Sequence, residues 1–157
     1  KSGILQFLNK KNFFSKNQFG FLTGRSTSDS LFAVNTFLHE NLDVNNKVLS
    51  IFLDIKKAFY SVNHKILLKK LAYAGIRGNI YNLFKSNLSN RVQSVKINNS
   101  YSNLLEIKHG VPQGTVLGSI LFVIYINGLL NLQINAKVIM KFFFLGYFMM
   151  YFIFYFN

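Results

Sequence analysis

Asp54 closes the apolar run Val48-Leu49-Ser50-Ile51-Phe52-Leu53 and is followed at once by Ile55-Lys56-Lys57-Ala58-Phe59. An ionised side chain loses hydration beside such a run unless it meets a cation or a hydrogen-bond donor. Its residue type and place fit either a cation ligand or an aspartate that caps a turn after a strand. Other acids give it little help. The chain has five Asp and Glu in all, Asp29, Glu40, Asp43, Asp54 and Glu106, and nothing acidic follows Glu106. A second constellation is the loop Gly110-Val111-Pro112-Gln113-Gly114, which holds the only proline. Pro112 fixes one φ angle, and Gly110 and Gly114 let backbone approach a base or sugar closely. Gln113 can both donate and accept hydrogen bonds. A plain strand-to-helix turn would account for the glycines but not for Gln113. Arg25 ends a glycine-punctuated turn, Gly20 to Arg25, just ahead of a helix start. That position suits a phosphate contact, and a solvated loop arginine fits equally well.

The charge balance narrows the partners. Eighteen Lys and Arg against five Asp and Glu leave a formal net charge of +13 on 157 residues. Such a field attracts polyanions, nucleic acid foremost; a merely basic protein or an anionic membrane surface are the alternatives. Half the residues are hydrophobic and 17% are aromatic, which excludes a disordered chain. The absence of cysteine removes disulfides and thiolate metal sites. His39, His64 and His109 are too widely spaced for a zinc pattern. Ile4 to Leu8 is too short an apolar run for a signal peptide, so an intracellular protein, nuclear or cytoplasmic, is expected.

The elements that position these residues can be placed from periodicity and capping. Residues 1–19 read as a short helix and loop. Ser26 and Asp29 form a capping-box pattern, and Leu31, Val34, Phe37 and Leu38 follow at helical spacing, predicting a helix over about 27–42. Asn45-Asn46 turns the chain into a strand over 47–54. Asn63 is an N-cap for a helix over 64–74, stopped by Gly75. On it Leu67, Leu71 and Ala74 face the core while Lys65, Lys69 and Lys70 point outward. Ile80, Leu83, Phe84 and Leu88 mark a third helix. Residues 91–97 and 101–108 form a hairpin around Asn98-Asn99, and a long apolar helix runs from Val116 to about Leu132. Residues 142–156 then carry no polar side chain beyond tyrosine hydroxyls and show neither helix nor strand period. They fall short of the roughly 20 residues that span a bilayer. We expect an aberrant apolar tail over 137–157, set apart from a domain over 1–136, with membrane anchoring the less favoured reading.

Several segments taken in order carry a resemblance. Gln18-Phe19-Gly20-Phe21 with Gly24-Arg25-Ser26-Thr27, Phe52-Leu53-Asp54 with Lys57-Ala58-Phe59, and Gly75-Ile76-Arg77-Gly78 come first. Leu88-Ser89-Asn90-Arg91, the Gly110 to Gly118 stretch and Tyr125-Ile126-Asn127 follow. Over roughly residues 15–132 the chain resembles the reverse transcriptase domain of non-LTR (LINE-type) retrotransposons. The resemblance implies an α+β fold, a partial right-hand polymerase with part of the fingers and the palm and no thumb. It implies an RNA template, a DNA primer and Mg²⁺, with no specific protein partner. It makes Asp54 a metal-ligand position and Phe59 the bulky residue said to exclude a ribose 2′-hydroxyl, against the alternative of a core phenylalanine. It assigns Gly110, Pro112, Gln113 and Gly114, with Arg25, to template and nucleotide contact. Lys65, Lys69, Lys70 and Arg91 would then follow the nucleic-acid backbone, although a solvated face explains them too; Lys96 is equally ambiguous.

Departures from the family pattern are as informative. Tyr60 stands where a second aspartate is usual, and Gly128 replaces the aspartate after Tyr-Ile-Asn. The stretch Lys137 to Gly146 contains no acid where the family has an aromatic-Ala-Asp-Asp hairpin. Two divalent ions need several convergent carboxylates. The expectation is therefore a degenerate reverse transcriptase domain, inactive alone, whose palm lacks its last hairpin and leaves a strand edge unpaired. The alternative is a non-catalytic basic module that binds nucleic acid.

Overall fold

A computed structural model of the chain describes residues 2–112, 114–131, 136–142 and 148–156. The order of elements is α1 (Ser2–Lys10), α2 (Thr27–Leu42), β1 (Lys47–Asp54), a 3₁₀ turn (Ala58–Ser61), α3 (His64–Tyr73) and α4 (Gly78–Leu88). The short strands β2 (Val92–Gln93), β3 (Lys96–Ile97), β4 (Ser100–Tyr101) and β5 (Leu105–Glu106) follow, then α5 (Val116–Ile126), a 3₁₀ segment (Asn127–Asn131), β6 (Ala136–Phe142) and β7 (Phe148–Phe156). The architecture is α+β. The chain divides into two compact units, one of residues 1–58 with 126–157 and one of residues 59–125.

The first unit is built on an antiparallel sheet of order β1-β7-β6. Every residue of β1 has a partner in β7, from Lys47 opposite Phe156 to Asp54 opposite Met149. On its other side β7 pairs with β6, from Ala136 opposite Phe154 to Phe142 opposite Phe148. The expected lack of a last hairpin is thus corrected: β6 and β7 follow α5 and β7 lies directly beside β1, whose other edge stays unpaired among the described residues. Phe, Tyr and Ile, which make up most of β7, favour extended backbone. Helix α2 contributes Val34 to a small core with Phe19, Phe37, Leu38 and Val48. Leu31, expected on that face, is exposed.

Capping fixes where α2 begins. Ser26 Oγ accepts from the Asp29 amide at 3.1 Å, while the Asp29 carboxylate accepts from the Ser26 amide at 2.6 Å and its hydroxyl at 2.7 Å. Each side chain satisfies a donor that the helix start leaves orphaned. The Ser26 hydroxyl and then its amide hold the Asp29 carboxyl below its ordinary value.

The second unit packs α3, α4 and α5 around apolar side chains. Asn63 caps α3 by accepting from the Ile66 amide at 3.1 Å. Leu67 and Leu71 are 0% exposed, and Phe84 and Leu88 of α4 are also buried; Ile80 and Leu83, expected beside them, face solvent. Helix α5 is buried through the consecutive residues Ile120 to Ile124, as expected of a helix apolar on all sides. It ends at Ile126, short of the expected Leu132. The Asn127 side chain is used elsewhere, and Gly128 favours helix poorly. No helix among the described residues is long and apolar enough to cross a membrane.

Two stability predictions follow from these contacts. Leu71→Ala removes a fully buried side chain and should lower unfolding free energy by about 2–5 kcal/mol, whereas exposed Leu83→Ala should change it by less than about 0.5 kcal/mol; urea titration of both variants checks the contrast. The depressed Asp29 carboxyl contributes stability above its unfolded value of 3.8, and that stability is lost as pH falls through the lower folded value. Ser26→Ala should therefore weaken the protein at neutral pH. The gap between variant and parent should narrow in strong acid, below the ordinary carboxylate range, to what the Asp29 amide bond to Ser26 Oγ contributes, as read by thermal melting at each pH.

Candidate functional site

In the first unit, β1 delivers Asp54 at its C-terminal end, where the side chain is exposed. The chain then turns through Lys57, whose φ of 53° is left-handed and uncommon for a residue with a Cβ. Among the described residues the Asp54 carboxylate makes no hydrogen bond or ion pair, and its register partner is Met149. The other acids are engaged or remote in sequence. Asp29 caps α2, and Glu106 lies 3.5 Å from Lys108. No group of three His, Cys, Asp or Glu among the described residues could hold a metal ion. The ligand set does not fit a pair of divalent cations, because one exposed carboxylate leaves most of an octahedral oxygen shell unsupplied.

Arg25, also in this unit, is not a free loop cation. Its Nη1 donates to the carbonyls of Ser15 at 2.7 Å, Lys16 at 3.0 Å and Gln18 at 2.6 Å. One guanidinium corner thus closes the loop that leads into α2. The same residue lines a cleft of about 270 Å³ with Asn9, Asn12, Phe14, Leu22 and Thr23. Asn127, quoted above only as part of Tyr-Ile-Asn, is a second staple. Its Nδ2 donates to Phe13 O at 2.7 Å and its Oδ1 accepts from Ser15 N at 3.3 Å.

In the second unit the glycine loop is held from below. Gly110 N donates to Val62 O at 2.7 Å and Val111 N to Phe59 O at 2.9 Å. His64 Nε2 sits 2.7 Å from Gly110 O, so the ring tautomer with the proton on Nε2 donates there. A Cβ on Gly110 would come within 3.1 Å of the Tyr60 Cα and 3.3 Å of the Phe59 carbonyl. The glycine at 110 is therefore required by the close approach of the chain itself. Gly114, with φ of +78°, has open space where a Cβ would sit. Pro112 O accepts from Thr115 Oγ1 at 2.9 Å, and Thr115 Oγ1 accepts from Gly118 N at 3.0 Å. A Cβ at Gly118 would overlap the Pro112 carbonyl oxygen. Gln113 lies outside the described residues.

The remaining candidates separate into two kinds. Phe59 is 5% exposed and stacks on Phe122 with centroids 4.7 Å apart, the placement of a core side chain. Lys65 and Lys69 are exposed as expected. Lys70 is corrected: its ammonium donates to the Tyr125 carbonyl near the end of α5 and lies 5.0 Å from the Tyr125 ring centroid. Burial pushes its pKa down, and a cation there complements the helix C-terminus. Arg91 is half-buried at the base of the β2–β5 hairpin, where its carbonyl accepts from Ile107 N at 2.8 Å. Thr115 and Gly118 entered the sequence reading only as part of the Gly110 to Gly118 stretch and His64 only as one of three spaced histidines, without the contacts described here.

Sequence comparison gives the class of this α+β domain. Residues 2–154 match the family described as "Reverse transcriptase (RNA-dependent DNA polymerase)", and the chain belongs to that family. It is similar to the RNA-directed DNA polymerase from mobile element jockey of Drosophila funebris, 38% identical over 110 residues, 70% of this chain and 12% of the relative. It is 32% identical to the probable RNA-directed DNA polymerase from transposon BS of Drosophila melanogaster, over 69% of this chain and 12% of that protein. The Pol polyprotein from type-1 retrotransposable element R2 of Popillia japonica is 30% identical over 77 residues, 49% of this chain and 13% of the relative. The chain is a reverse transcriptase-like domain of the non-LTR type, and it spans only these small fractions of the relatives' lengths.

The glycine geometry ranks three substitutions. Gly118→Ala meets rigid backbone and should destabilise by about 1–3 kcal/mol or more. Gly110→Ala combines left-handed strain with a tight contact and should fall in the same range. Gly114→Ala meets only the left-handed conformational term of about 1–2 kcal/mol. Chemical denaturation of the three variants should return Gly114→Ala as the mildest.

Proposed function

We propose that this chain is a fingers and palm fragment of a non-LTR RNA-directed DNA polymerase that keeps the strand framework of the active site without its metal chemistry. The observation that carries this is the β1–β7 pairing. β1 brings Asp54 to the end of the sheet, and Met149 stands across from it. The sequence from Lys137 through Asn157 offers no carboxylate to join Asp54. Mg²⁺ is the ion that the family implies. When bound in a competent site, such ions stabilise the charge that develops during nucleotide transfer. A lone exposed aspartate gives them no convergent shell, and the departure over 137–157 fits an altered reading frame.

In primer extension with RNA template, DNA primer and Mg²⁺ or Mn²⁺, the chain alone should yield no template-dependent product. Asp54→Asn should leave Mn²⁺ binding, followed by electron paramagnetic resonance, unchanged. Template-dependent extension that Asp54→Asn abolishes would falsify the proposal.

A second reading rests on the net charge of +13, which favours retained, sequence-independent binding of nucleic acid. Lys65 and Lys69 are its exposed contributors on α3. Filter binding across a salt series should show affinity falling linearly on logarithmic axes, and Lys65→Gln or Lys69→Gln should each reduce the slope by about one. Lys70→Gln should leave the slope alone and lower stability instead. Absence of binding even at low salt sinks this reading.

A further inference from the structure

The hairpin between α4 and α5 is a two-stranded ribbon with none of the described residues covering it. Val92 pairs with Glu106 and Gln93 with Leu105; farther out Lys96 pairs with Tyr101 and Ile97 with Ser100. The two ladders join through Val95, whose amide donates to Ser102 Oγ at 2.9 Å and whose carbonyl accepts from Ser102 N at 2.9 Å. Asn98, with φ of 54°, makes the turn at the tip. Every residue from Val92 to Glu106 is exposed. Within that stretch Val92, Val95, Ile97, Tyr101, Leu104 and Leu105 are each 55–69% accessible.

This composition is unusual for a surface. An isolated two-stranded ribbon is marginal in water unless a hydrophobic face is covered, and contiguous exposed apolar side chains mark interaction sites. The outer edges of both ladders also present backbone groups that a further strand could pair. The charge on the ribbon then selects among occupants. Glu106 is already beside Lys108, while Arg91 and Lys96 have no carboxylate partner among the described residues. Lys96 instead sits over the Tyr101 ring at 5.2 Å. The excess is positive at both the base and the tip of the ribbon. A second copy of a chain carrying +13 is opposed by like-charge repulsion. Aliphatic side chains outnumber the single aromatic, which disfavours a base-stacking platform.

We infer that the ribbon Val92–Glu106 is a docking surface for another polypeptide, an extended segment that alternates apolar and acidic side chains. Its apolar side chains would cover Val95, Ile97 and Leu105. Its carboxylates would meet Lys96 on the opposite face, and its backbone would add a strand to one open edge.

The probe is a fluorescein-labelled peptide of alternating valine and glutamate, titrated with the full chain and followed by fluorescence anisotropy. Saturable binding is expected. Ile97→Ser combined with Leu105→Ser should weaken it by about tenfold or more, and Lys96→Glu should weaken it further at low salt than at high salt. These residues are exposed, so melting temperature should stay that of the parent. No saturable binding, or binding untouched by the substitutions, overturns the inference. So does displacement of the peptide by single-stranded RNA that depends on the same ribbon residues, or dimerisation in sedimentation velocity abolished by the Ile97 and Leu105 changes.

Discussion

The pairing of β1 with β7 is the constraint on which the first unit rests. Eight residues that begin at Lys47 find their backbone partners only in a strand that arrives about a hundred residues later. Closing so long a loop is entropically unfavourable, so the eight-residue ladder and the packing of Val48 against Val34 of α2 must offset that cost. The pairing also fixes what Asp54 can do. Its position is dictated by register, because a slip of one residue would turn its side chain to the opposite face. The carboxylate is therefore well placed by the sheet and poorly supplied by the sequence around it.

A parallel logic organises the second unit at the level of backbone contact. Gly110 lets two chain segments come close enough for Val62 and Phe59 to bond to its loop, and His64 closes the third side. Residues that a functional reading would send toward a nucleotide, Phe59 and Gly110 among them, are also what makes the loop rigid. Arg25 shows the same doubling in the first unit, because three carbonyls share one of its nitrogens. Groups that position a loop and groups that use it are hard to separate by residue type alone.

That difficulty explains how much of the molecule was legible in the sequence. Local signals were reliable: the Ser26–Asp29 box, the Asn63 cap and the Asn98 turn each depend on neighbours a few residues away. Leu67 and Leu71 were found because helical spacing and burial coincide. Nonlocal features were not. Lys70 reads as one more outward lysine until α5 brings the Tyr125 carbonyl to it. Leu31 and Leu83 fit an apolar stripe that their units leave uncovered. Residues 148–156 show no alternation, and their pairing with β1 spans most of the chain. The absence of acids after Glu106, by contrast, needed no structure to be seen.

The sheet order leaves β1 on the outside, with Leu49, Ile51, Phe52 and Leu53 all exposed along it. An apolar outer strand is a template for pairing with other chains, yet the large positive charge keeps molecules apart at low ionic strength. Concentrated salt, the usual means of stripping nucleic acid from a basic protein, shortens the reach of that repulsion to a few ångströms. The colloidal behaviour of the chain therefore runs opposite to its binding behaviour. Conditions that clear it of polyanions are those in which its own strands begin to find each other.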